Sequence, residues 1–258
     1  MSLESLLSLF ALLFGLIVGS FLNALIYRLP REINIAYPRS SCTSCKKIIP
    51  WYENIPVFSY IFLRGKCSEC GAKISWSYPA VELACGLFAL FIAPSSLNNN
   101  ELLSFFFYFS VFCCFVVHFI VDLKHQILPD SVNLYLACLF LVYGFFTTPW
   151  THWLIGAALG FGFPLIVSWV FYQLKGQVGL GGGDIKLYGA LGLYLGPIGV
   201  MQNLFLSCFL GAIVGLSLIA TKLIKRENPI PFGPFIILVA AVQIFADQWF
   251  GHLISYIP

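Results

Sequence analysis

The chain has 258 residues, of which 59% are apolar and only 10% charged, with a net charge of +3. Soluble proteins carry roughly 25% charged residues, so this supply is too small to clothe a soluble surface. That excludes an ordinary cytosolic domain, a disordered chain and a nucleic-acid-binding domain with a basic face, and leaves a polytopic membrane protein.

A helix that crosses the hydrocarbon layer needs about 20 apolar residues. The first such stretch is 3–27, where Glu4 is the only charge. It lacks the basic start of a signal peptide and is too long for its apolar segment, so it reads as a retained helix. Further apolar stretches follow at 80–94, 102–121, 132–146, 153–174, 185–197, 200–223 and 232–254. The expected fold is therefore all-α and polytopic, with about eight transmembrane helices. Placing the N-terminus outside puts 28–79, the turn after Val121, the turn around 175–186 and 222–233 on the inner side. All 14 lysines and arginines then fall in or beside those inner segments, and none in the outer loops near 95–100, 147–152 and 196–199. That is the pattern of the positive-inside rule.

The 28–79 segment differs in character. It holds eight of the 14 basic residues, and the pair Cys42-x2-Cys45 and Cys67-x2-Cys70, with 21 residues between the knuckles. Four thiolates in two such turns are the donor set of a structural zinc ribbon. Zinc would explain how so short a loop folds without a large apolar core. Two disulfides are the alternative, and an inner, reducing location argues against them. The other five cysteines, Cys85, Cys113, Cys114, Cys138 and Cys208, sit in apolar helices and read as small buried packing residues.

Ionisable groups inside spans are functional candidates. Near the inner ends of predicted helices stand Glu82, Asp122, Asp130 and Asp184. Asp247 reads as an interfacial carboxylate at the outer side. Asp130, before the fourth span, suits a helix N-cap. Asp184 follows the glycine run Gly179, Gly181, Gly182 and Gly183 and enters the sixth span at about the depth of Asp122. Two carboxylates meeting at one depth share a proton, because like charges at close range do not both ionise. One acid and one base flanking a water are the machinery of amide hydrolysis. Two unrelated interfacial caps remain the alternative, since spacing alone does not bring them together. The glycine run is not a dinucleotide fingerprint: Asp184 stands where a third glycine belongs, and no strand precedes it.

These motifs together resemble the type IV prepilin peptidase family, the bacterial members of the GxGD class of membrane aspartyl proteases. The resemblance covers nearly the whole chain. It rests on GSFLNALIYRLP at 19–30, the paired CxxC knuckles, WYENIPVFSYIFLRGKC at 51–67, ISWSYPAVEL at 74–83, the segment from Asp122 to Asp130, Gly181-x-Gly183-Asp184 and PFGPF at 231–235. It implies a multi-pass protein of the bacterial inner membrane with active sites on the cytoplasmic side. Its domains are expected at 1–27 (first helix), 28–79 (zinc-binding loop and methyltransferase region) and 80–258 (protease domain). It implies cleavage of the basic leader of type IV prepilins and pseudopilins, with Asp122 and Asp184 as catalytic aspartates. It also implies methylation of the new N-terminal amine with S-adenosyl-L-methionine as donor. Expected partners are those substrates and the lipid bilayer, with no nucleic acid.

Within this frame Gly181 and Gly183 are expected to hold an extended substrate segment, since a helical peptide bond is shielded. Glu53 and Asn54 are candidates to bind the amine or the cofactor ribose, and Gly65 to allow close backbone approach. A solvated loop acid and a simple turn glycine are the plainer readings of Glu53 and Gly65. Competing functions are a peptidase without methyltransferase activity, a transporter with a metal-sensing loop and a non-enzymatic pilin-binding scaffold. His118, one turn before Asp122, reads either as facing the same cleft or as a packed polar residue. His125 reads as interfacial, and His152 and His252 as exposed on the outer side.

Overall fold

The computed structural model describes residues 2–37, 39–177, 179–223 and 230–255, with side chains described up to residue 246. Lys225, Arg226 and Glu227, and the side chains of Asp247 and His252, lie outside the described residues. The described residues are helical with no strand, apart from two isolated antiparallel bridges, Ser41 with Ile48 and Lys66 with Lys73. The helices are α1 (Leu3–Arg28), α2 (Phe58–Phe62), α3 (Ser77–Phe91), α4 (Asn99–His125), α5 (Asp130–Thr147), α6 (Trp150–Lys175), α7 (Gly182–Ala220) and α8 (Gly233–Ser255).

Five of them, α1 and α4 to α7, are long and apolar enough to cross a membrane, and α3 and α8 contribute two shorter apolar helices. The 39-residue α7 would be about 58 Å long if straight, nearly twice a hydrocarbon core of about 30 Å. It breaks instead at Gly196, where φ is 68° and ψ −174°, a conformation open essentially to glycine. Pro197 then starts the second half, as proline does at a helix start. The two predicted spans 185–197 and 200–223 are thus the halves of one kinked element. The outer loop expected at 196–199 is a helix break, and the His152 imidazole sits against Gly196 rather than standing free.

The chain divides into two compact units, Met1–Val117 and His118–Pro258. In the first, α1 packs on α3 through Gly15 and Gly19. A Cβ at Gly15 would meet Cys85, Gly86 and Ala89, and one at Gly19 would stand 2.7 Å from the Glu82 Cα. The Phe14 ring packs against Phe105, Phe106 and Phe109 of α4, with centroids 6.3, 6.0 and 5.4 Å away.

In the second unit α7 packs on α5, α6 and α8. Gly156 and Gly160 of α6 face Gly192, Gly196 and the Tyr188 backbone, so main chain meets main chain. These are paired small-x3-small seams, the device that lets helices approach where no hydrophobic effect separates protein from lipid. A Gly192→Val variant has no free volume to enter. Overpacking of this kind costs about 1–3 kcal/mol, so its melting temperature in detergent is expected to fall below that of wild type.

Of the five helical cysteines, Cys85, Cys113 and Cys114 are buried, but Cys138 and Cys208 are exposed. They lie on the surface an apolar solvent would cover, which suits a small apolar residue equally well. The expected N-cap at Asp130 is absent. Pro129 is the cap residue, and Asp130 is already helical. Its carboxylate instead takes Lys186 Nζ at 2.8 and 2.7 Å.

Candidate functional site

In the second unit the two aspartates come from elements that helix ends position. Asp122 lies in the last turn of α4 and is buried. Its Oδ2 accepts the backbone N–H of Gly233, the first residue of α8, at 2.9 Å. Asp184 is the third residue of α7, half-buried, and its carboxylate accepts the N–H of Gly181, the cap residue of its own helix. That is the acid half of a capping box. Gly183, next to Asp184, and Gly233, which holds Asp122, both lie against Leu128, so the two acids share one neighbourhood. The structure thus brings together two residues 62 positions apart in the chain.

The intervening backbone is fixed by polar side chains. His118 Nε2 and Asn133 Oδ1 are 2.7 Å apart, and Asn133 Nδ2 donates to the Gly183 carbonyl at 3.3 Å. His118 is therefore fully buried in a hydrogen-bonded chain one turn from Asp122. Its bond to Asn133 joins α4 to α5, and Asn133 joins α5 to the glycine run. Leu128 fills the space below. A Cβ on Gly183 would stand 2.9 Å from the Leu128 Cβ, and one on Gly233 3.1 Å from its Cδ2. A Cβ on Gly181 would stand 2.9 Å from Asp184 Oδ2.

In the first unit the four knuckle cysteines converge. Their sulfurs lie within 4.8 Å of one another, with Cys42–Cys70 and Cys45–Cys67 separations of 3.9 Å each. A tetrahedral site with metal–sulfur bonds of about 2.3 Å requires sulfurs about 3.8 Å apart, so the donor set can hold a metal ion. Each knuckle is a tight turn: Lys46 N–H bonds the Cys42 carbonyl and Gly71 N–H the Cys67 carbonyl, at 3.0 Å each. The N–H groups of Cys45 and Ser44 pull the Cys42 thiol down to about 6. Those of Cys70 and Glu69 lower Cys67. At Cys45 the Lys47 N–H also favours the thiolate, but desolvation and the neighbouring sulfurs outweigh it and push that thiol up to about 12. Four clustered sulfurs resist full ionisation by mutual repulsion, and a divalent cation is what removes that cost.

Beside the knuckles is a cavity of about 600 Å³, within the range of small-molecule sites. Asn23, Arg28, Glu53, Asn54, Tyr60 and Glu82 are on its wall. Glu53 and Asn54 are thus where a ligand could meet them. The Glu53 carboxylate is already held, by the Ser68 hydroxyl at 2.9 Å and Lys47 Nζ at 3.5 Å. Gly65 lies behind the wall. Its φ of +65° suits glycine, and its α-carbon faces the Tyr60 ring.

Three wall residues escaped the sequence reading as site residues. Asn23 Nδ2 donates to the Tyr78 carbonyl at 3.0 Å, and Arg28 Nη1 donates to the carbonyls of Asn34 and Ile35 at 3.1 and 2.6 Å. Glu82 is 8% exposed and accepts the Val57 N–H at 2.7 Å. The one signal available for Glu82 was an acid in an apolar helix.

Comparison with known proteins decides the relationship. Residues 13–95 match the bacterial peptidase A24 N-terminal domain, and residues 107–216 match the type IV leader peptidase family. The chain belongs to the type IV leader peptidase family. It is 35% identical to a prepilin leader peptidase/N-methyltransferase of Stutzerimonas stutzeri, over 92% of this chain and 90% of the relative. It is 32% identical to proteins of the same description from Burkholderia pseudomallei strain 1026b, over 95% and 87%, and Bacillus subtilis, over 95% of each. No solved structure matches. The family's N-terminal match covers the knuckles and the cavity wall, and the second match covers both aspartates.

Proposed function

We propose that this chain cleaves the basic leader from type IV prepilins and pseudopilins and then N-methylates the new terminus. Family membership supports the reaction class, and the approach of Asp122 to Asp184 carries the chemistry. A dyad of this kind needs no metal and no covalent intermediate. One ionised carboxylate takes a proton from a water held between the pair. The water oxygen attacks the carbonyl carbon of the scissile peptide, and the other carboxyl gives its proton to the departing nitrogen. The C–N bond breaks, leaving a carboxyl-ended leader and a free amine. The protein sits in the bacterial inner membrane, with both sites on the cytoplasmic side, as the distribution of basic residues supports.

The Cys42, Cys45, Cys67 and Cys70 set holds a structural zinc in this reading. The cavity beside it suits the methyl donor S-adenosyl-L-methionine, with Asn54 and Glu53 on the wall that would receive it; bound, that cofactor supplies an electrophilic methyl carbon. An α-amine with an ordinary pKa of about 7.7–8.0 is partly neutral near pH 7 and needs little base assistance.

The test is a purified-protein assay with a prepilin peptide, read by mass spectrometry. The expected products are a leader fragment and a mature fragment that gains one methyl only when the donor is added. Cleavage without methylation would favour the peptidase-only reading, and absence of cleavage in folded protein would overturn the assignment.

The glycine run gives a finer check. A methyl group on Gly181 presses on the Asp184 carboxylate itself, and one on Gly183 presses on Leu128. Gly181→Ala and Gly183→Ala are each expected to lower kcat at least about tenfold, as displacements near 1 Å do, with insertion unchanged. Wild-type kcat in both variants would remove the run from the site.

A further inference from the structure

We propose that the Glu82 carboxylate binds a primary α-ammonium in the cavity of the first unit. Glu82 is nine-tenths buried in the apolar helix α3 and faces a cavity of about 600 Å³. A buried carboxylate in such a helix is costly and persists where it meets a partner. Among the described residues no Lys, Arg or His forms an ion pair with Glu82. The wall also carries Arg28, Arg39, Lys46, Lys73 and Glu53, and none of these cations stands within ion-pair distance of Glu82. Arg28 is turned to the carbonyls of Asn34 and Ile35, and Glu53 to Ser68 and Lys47.

The hydrogen bonds that Glu82 does make do not account for its charge. Val57 N–H donates to Oε2 at 2.7 Å, and Ser20 also bonds the carboxylate. Val57 has φ +63° and ψ −50°, a conformation that a β-branched residue adopts only when its surroundings enforce it. Holding that turn is a structural role, and a neutral glutamine oxygen would accept the same N–H equally well. The negative charge is surplus to that role, and a cation arriving with the ligand is what would use it. Charge-assisted hydrogen bonds from an ammonium are the stronger kind.

This inference rests on the proposed methylation, because two α-ammonium groups then enter this region: the new terminus of the processed substrate, and the amino group of the donor's methionine half. The experiment separates them without any methyl transfer. Full-length protein in detergent would be titrated with four probes. The first pair is a mature pilin N-terminal peptide with a free or an acetylated amine. The second is S-adenosylhomocysteine and its deaminated analogue. Wild type and Glu82→Gln would be compared, with Glu82→Asp as a charge-keeping variant and melting temperature as the fold control.

The expected result is that wild type prefers one free-amine probe over its blocked partner by about 10- to 100-fold, that Glu82→Gln abolishes the preference, and that Glu82→Asp keeps part of it. Loss for the peptide pair identifies the substrate terminus, and loss for the nucleoside pair the donor. Equal wild-type binding of free and blocked probes in both pairs would overturn the proposal, and needs no variant to fold. Unchanged preferences in a folded Glu82→Gln would overturn it too. The underlying reading fails differently: wild type would then cleave, yet add no methyl.

Discussion

Asp122→Asn and Asp184→Asn are each expected to fold, insert and lose leader cleavage by at least about 10²–10⁴-fold, the usual contribution of general acid–base groups. The substitutions are structurally mild. An asparagine oxygen at 122 can still accept the Gly233 N–H, and one at 184 the Gly181 N–H. What each removes is the ability to carry or take a proton. In the proposed mechanism the two act on one water, so the double variant is expected to be no slower than the worse single, as for groups that work as a unit. Methylation of a peptide supplied already cleaved is expected to continue, since neither aspartate is on the wall of the first unit's cavity. Cleavage surviving in either single variant, measured by leader release against time, would end the dyad assignment.

The second large effect is expected at the knuckles. On the proposed zinc assignment, Cys67→Ser should take bound zinc from about one per chain to an undetectable level, because a structural site closes only with four ligands. The loop has little apolar core of its own. Its order rests on two knuckle turns, two isolated bridges and the Lys47, Glu53 and Ser68 cluster. Structural zinc contributes about 10–16 kcal/mol of binding free energy in small folds, far more than such a cluster. Chelation of wild type is therefore expected to expose the loop to protease and to stop methylation. Elemental analysis with thiol titration checks the premise. Metal-free protein with all four thiols oxidised would restore the disulfide alternative.

Much of this architecture was legible in the residues because a bilayer permits few solutions. Spans of the required length, and basic residues gathered at four connecting segments, located the helices to within a few positions. The cysteine set was legible because its donor type and spacing are chemical requirements. What escaped was whatever depends on two distant segments meeting. The depth of Asp122 and Asp184 could be read, but not the approach that Gly233 and the His118–Asn133 chain enforce. The meeting of Gly156 and Gly160 with the backbone of α7 was not legible, since a seam exists only once both helices are seen. The break at Gly196 was read as a loop because proline and glycine signal both. Glu82 was noticed as an intramembrane acid and passed over, because the turn at Val57 that meets it lies 25 residues away in the chain.

Leu128 is buried, and one side chain underlies both Gly183 and Gly233. Those two glycines adjoin the backbones that carry or anchor the two acids. In the proposed site the spacing of the two acids then depends on the girth of an aliphatic group wedged under both glycines. A graded series at position 128, from alanine through methionine to phenylalanine, would act as a set of shims. It would vary the separation of the pair while leaving its chemistry alone.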